Sequence, residues 1–121
     1  MILKKTLNLN KFDFYVKHIS IINALFIPDK YKLSLKEIEV VACFMKHGEN
    51  LDPEYLLSTI NRKKVMTEMN ISNGGLTNYV TQLKNKKAIT VDNKFHKVFN
   101  ITDFNSQEYN ITLNNTSNNG N

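Results

Sequence analysis

The chain has 121 residues, 41% hydrophobic and 22% charged, which suits one compact domain with or without a tail and excludes a second core of ordinary size. The same values exclude wholesale disorder and collagen-like or coiled-coil extremes. Sixteen basic against eleven acidic residues give +5, and the excess is local: residues 62–97 hold eight basic side chains against Glu68 and Asp92, whereas residues 1–61 hold eight lysines against seven acids and residues 98–121 only two acids.

In chain order, Leu3, Leu7 and Leu9 alternate with polar residues and predict a short strand. Tyr15, Ile19, Ile22 and Phe26 recur at helical spacing, and Pro28 with Asp29 ends that helix. With Phe12, this face supplies either core or a dimer surface. Ser34 stands three residues before Glu37, the spacing of a capping box, with Leu33 and Ile38 as its hydrophobic staple. Leu35, Ile38, Val41, Ala42 and Met45 then predict one buried stripe of a helix that Gly48 stops. Asp52-Pro53 predicts a short helix over 53–60. Asn61 can cap a third helix running from Arg62 to Met69, with Val65, Met66 and Met69 inward.

Met69-Asn70-Ile71-Ser72 reads as a tight turn between helices: an apolar residue, one that tolerates the left-handed conformation, a second apolar residue and an N-cap. The helix that follows, over 73–86, carries Leu76, Val80 and Leu83 on one face. Asn73, Thr77, Asn78, Thr81, Gln82 and Lys84 lie on the other. Residues 88–91 and 95–101 predict a β-hairpin about Asp92-Asn93-Lys94, with Phe95, Phe99, Ile101 and Lys97 on one face. Tyr109, Ile111 and Leu113 carry the pattern of one more strand, and residues 114–121 are too polar to pack a core. The expected organisation is an N-terminal arm and helix over 1–32, a central domain over 33–102 and a polar tail over 103–121.

No run approaches the roughly 20 apolar residues of a membrane span, and Lys4-Lys5 is not followed by a secretory apolar region, so the expected compartment is the cytoplasm. With 18 asparagines in the chain, the Asn-x-Ser/Thr triplets at Asn70, Asn100, Asn110, Asn114 and Asn115 are ascribed to composition rather than to glycosylation. Cys43, the lone cysteine, sits in an apolar run and reads as a buried thiol. His18, His47 and His96 are far apart in sequence, with no Cys or carboxylate arrangement of metal-ligand spacing, so neither a zinc or iron site nor any other cofactor is expected. Nor is there a phosphate-binding loop, nucleophile elbow or paired-carboxylate set, so the expectation is not an enzyme, with no small-molecule substrate.

The order of these elements, and above all residues 62–89, RKKVMTEMNISNGGLTNYVTQLKNKKAI, resembles the winged helix-turn-helix superfamily, in particular MarR-like bacterial and phage regulators. The resemblance covers residues 33–101. Where such proteins commonly read Leu-Gly-Ile-Ser, this chain reads Met69-Asn70-Ile71-Ser72, and QLKNKKAI resembles their passage into the first wing strand. The resemblance implies an α+β, mainly α fold with a C-terminal β-hairpin wing. It places a recognition helix at 73–86 in the DNA major groove. Ser72, Asn73, Thr77 and Asn78 become candidates for base or phosphate contacts, and Thr81, Gln82 and Lys84 for flanking backbone. Arg62, Lys63 and Lys64 would meet phosphates from the preceding helix, and Lys94 and Lys97 from the wing. Two departures stand out: Gly74 and Gly75 occupy the first turn of that helix, and neither it nor the wing carries an arginine.

Two functions follow. The leading one is a winged-helix protein that binds double-stranded DNA as a homo-oligomer, a transcriptional or replication regulator of a low-G+C bacterium or phage. The alternative is a structural protein of a phage particle, such as a ring-forming head-to-tail connector located in the virion. It is motivated by the glycines, the missing arginines and two strand-like arms that could add to a neighbour's sheet.

Overall fold

The computed structural model describes residues 2–6, 10–99 and 108–112. Along them run strand β1 (Ile2–Thr6), helices α1 (Lys11–Phe26), α2 (Leu35–His47), α3 (Thr59–Met69) and α4 (Asn73–Asn85), and strand β2 (Glu108–Thr112).

Helix α1 starts where Asn10 accepts a hydrogen bond from the Asp13 backbone N–H at 2.8 Å. It buries Phe14, Tyr15, Ile19 and Asn23; Phe12 and Ile22 are half-buried and Phe26 is exposed. Its last carbonyls, which have no partners within the helix, are met by Lys32, whose Nζ donates to Asn23 at 2.7 Å and to Ile27 at 2.8 Å. The Asn23 side chain exchanges two hydrogen bonds with the Leu33 backbone, so the link to α2 is stitched onto α1.

The capping box forms at the start of α2. Ser34 Oγ accepts from the Glu37 N–H at 3.2 Å, and Glu37 Oε1 accepts from the Ser34 N–H at 2.8 Å. Beyond it the helix is buried without a break from Val40 to Met45, because α1 packs on one side and α3 and α4 on another. A single stripe is therefore too narrow a description, and Leu35, expected within it, is exposed.

The expected helix over 53–60 is instead a 3₁₀ turn, Pro53–Tyr55. Ser58 begins α3, accepting from the Asn61 N–H at 3.3 Å. Asn61, expected as a cap, lies in the core, where its amide donates to the Leu56 carbonyl at 2.7 Å and the Phe44 carbonyl at 3.2 Å. Helix α3 ends as the turn sequence predicts. Asn70 takes the left-handed conformation (φ 54°, ψ 51°), the Ile71 N–H bonds the Met66 carbonyl at 3.1 Å, and the Asn70 N–H bonds the Thr67 carbonyl at 3.4 Å. Helix α4 follows at once and buries Leu76, Val80 and Leu83.

The wing is where the structure departs from the resemblance. Residues 88–99 do not form a β-hairpin: one antiparallel bridge, Ile89 to Phe95, closes a tight loop whose tip residue Val91 is fully exposed. The chain then turns through a 3₁₀ segment, Lys97–Phe99, that packs on α1. Side-chain burial explains the change. A strand would set Lys97 on the same face as Phe95 and Phe99, whereas the bridge at Phe95 followed by the turn at Lys97–Phe99 buries both rings and leaves Lys97 in solvent. Ile101, the other residue expected on that face, lies outside the described residues. Among the described residues the fold is thus mainly helical, and the expected C-terminal β-hairpin wing is not formed. Strand pairing among the described residues otherwise joins β1 to β2, antiparallel with Ile2 opposite Thr112 and Lys4 opposite Asn110.

Candidate nucleic-acid interface

The turn at Asn70 sets α3 and α4 against each other, and side chains from both meet at the start of α4. Ser72 Oγ caps α4 by accepting from the Gly75 N–H at 3.0 Å. From α3, the Arg62 guanidinium donates to Thr77 Oγ1 at 2.8 Å and to Asn73 Oδ1 at 3.2 Å. Three residues singled out separately in the sequence are therefore one hydrogen-bonded group. The arrangement also brings the chain's one arginine to the first turns of α4, which has none of its own. Because Asn73 accepts through its oxygen, its NH₂ is left to donate outward.

Asn78, Thr81, Gln82 and Lys84 are exposed along the same helix, and Lys63 and Lys64 are exposed on α3. Lys84 reaches a hollow that it shares with Arg62, Ser58 and Asn93, and Asn93 lies in the loop where the wing was expected. A second hollow sets Lys84 beside Lys87, Thr90 and His96. Lys87 and Asn93 are additions to the residues expected from sequence, which lie on α3, on the outer arc of α4 and, for Lys94 and Lys97, in the expected wing. Lys94 is exposed in this loop. Lys97 is exposed too, but on the turn that packs against α1 rather than with the α4 group.

Ion pairs sort the remaining charges. Lys86, inside the basic segment, donates at 2.6 Å to Glu37 Oε1, a carboxylate only 3% exposed. Burial by itself raises the Glu37 pKa, but the hydrogen bonds from Lys86 and from the Ser34 backbone outweigh it and hold the carboxyl below its ordinary value. Glu68, one of the two acids of the segment, is bound to Lys46 at 2.8 Å and to His47 at 2.6 Å, both from α2. Its carboxyl is likewise lowered, these contacts overcoming burial. Cys43 is fully buried, and burial pushes its thiol up to about 12, so it is no nucleophile at neutral pH.

Among the described residues no helix is long and apolar enough to cross a membrane. No protein-family model, curated protein or solved structure matches the chain.

Proposed function

We propose that this protein binds double-stranded DNA through the surface of α3 and α4, as a regulator of transcription or replication acting in the cytoplasm. The observation that carries the reading is the joined group Arg62, Asn73 and Thr77 at the start of α4, flanked by lysines without an acidic partner among the described residues. Exposed hydroxyls and ammonium groups suit phosphates and Asn78 and Gln82 suit adenine edges, while Arg62, one of whose terminal nitrogens is spent on Asn73 and Thr77, keeps its remaining N–H groups for phosphate. With Lys86 held by Glu37 and Glu68 held by α2, the basic segment presents Arg62, Lys63, Lys64, Lys84, Lys87 and Lys94 against Asp92, with Glu54 from outside the segment lining the hollow of Arg62 and Lys84. The loop at 90–94 brings Asn93 beside Lys84 of α4, with Lys94 exposed next to it in the chain, without needing a hairpin.

The test is binding of the purified protein to random and candidate duplexes across a salt series. Log affinity should fall linearly with log salt, and Lys63→Glu with Lys64→Glu should abolish binding at moderate salt, with the slope reduced by about 2 where binding is still measurable. An affinity that ignores salt, or that survives the double variant unchanged, overturns the reading.

A further inference from the structure

We infer that the contact between α2 and α3 carries a transition-metal site built from Cys43, His47 and Glu68, and that zinc(II) is the ion its donors select. Cys43 and His47 are four residues apart on α2, one turn, and so share a face; Glu68 faces them from α3. The sulfur, an imidazole nitrogen and a carboxylate oxygen all lie within 4.8 Å of one another. Tetrahedral zinc, with bonds of about 2.0–2.3 Å, holds its donors about 3.5 Å apart, so side-chain adjustments of about 1 Å complete the set.

The site has a closed end and an open one. Cys43 is wholly buried, while the side chains of His47 and Glu68 are 24% and 30% exposed, which gives an ion a route from solvent down to the sulfur. A thiolate, an imidazole and a carboxylate suit zinc or cobalt and not magnesium or calcium, whose preferred ligands are oxygens. Three protein donors leave the fourth position to water. On binding, the Cys43 thiol gives its proton to solvent and the sulfur forms the metal bond, while His47 exchanges its hydrogen bond to Glu68 for a bond to the ion. Lys46 shares the same Glu68 oxygen and must yield it. The ion would then tie α3 to α2 at Glu68, one turn beyond Lys64 on the same face of α3; neither its donors nor its test depends on DNA binding.

The experiment is titration of the purified full-length protein with cobalt(II) alone, followed by absorbance, with zinc(II) added as competitor. The expected result is one cobalt per chain, with a thiolate-to-cobalt charge-transfer band and the intense visible bands of tetrahedral geometry, both erased by zinc. Cys43→Ser should remove the charge-transfer band. Because a buried substitution can disturb folding, His47→Gln and Glu68→Gln, both at the surface and checked by circular dichroism, decide the matter independently. Each should weaken cobalt binding by at least about tenfold. Absence of the charge-transfer band from the unaltered protein, or unchanged affinity in either surface variant, overturns the site.

Discussion

Two glycines show how differently the same residue type can be used. Gly48 ends α2 with φ −107°, so no left-handed backbone demands it. A Cβ there would run into the Leu56 side chain and lie 3.0 Å from the Phe44 carbonyl oxygen and 3.1 Å from Asn61 Nδ2. Close approach is the reason for glycine. Gly48→Ala should therefore destabilise the protein by about 1–3 kcal/mol, through crowding against the half-buried Leu56 and the buried Phe44 carbonyl and Asn61 amide. At Gly74 the nearest atom to an added Cβ is Ser72 Oγ at 4.0 Å, and the backbone is ordinary helix. Gly74→Ala should stabilise by about 0.5–1 kcal/mol. Urea denaturation of the two variants checks the opposite signs. Since nothing inside the fold asks for glycine at 74, what its absent side chain leaves open is the N-terminal end of α4 toward solvent.

Among the elements, α2 is the organiser, and Glu37 is its most connected polar residue. One carboxylate closes the capping box of α2 and holds Lys86 just beyond α4, so two helix ends 49 residues apart are fastened at one buried point. Because the folded carboxyl is held below its unfolded value, its contribution is fully present above that unfolded value and is lost as pH falls through the folded pKa. Glu37→Gln should cost about 1–3 kcal/mol at neutral pH, since it leaves the Lys86 ammonium without its charged partner. The difference between the unaltered protein and the variant should shrink as denaturation is repeated at acid pH, below about pH 4. A difference that stays constant over that range would mean that the carboxylate charge contributes nothing.

Over the whole molecule, structure divides the lysines into those that hold the fold and those that face outward. Lys32 ends α1, Lys46 holds Glu68 and Lys86 holds Glu37, whereas Lys84 is exposed between two hollows of the candidate interface. Paired variants separate the roles. Lys84→Gln should leave stability within about 0.5 kcal/mol and lower the salt slope of DNA binding by about 1. Lys86→Gln should lower stability and leave the slope alone. Thermal denaturation and the salt series on both proteins measure the two effects, and an exchange of these outcomes would reverse the assignment.

What the sequence determined by itself was local. The capping box at Ser34 and Glu37, the left-handed Asn70, the Ser72 cap and the spacing of Leu76, Val80 and Leu83 each depend on residues within a few positions of one another. Short-range backbone and side-chain physics suffices to read them. The four-residue spacing of Cys43 and His47 lies on a well-marked helix and is local too, but two donors make no metal site, and the third, Glu68, comes from α3 through the packing of two helices. Tertiary structure alone decided the rest. Burial of Phe95 and Phe99 against the helical core turned a segment with strand-like alternation into a bridge and a 3₁₀ turn, because removing two rings from water outweighs a weak local preference. Ser58 rather than Asn61 capped α3, because only the folded chain places the Leu56 and Phe44 carbonyls where the Asn61 amide can satisfy them. The meeting of Arg62 with Asn73 and Thr77, and of Glu68 with α2, depends on how helices cross, which no local pattern encodes.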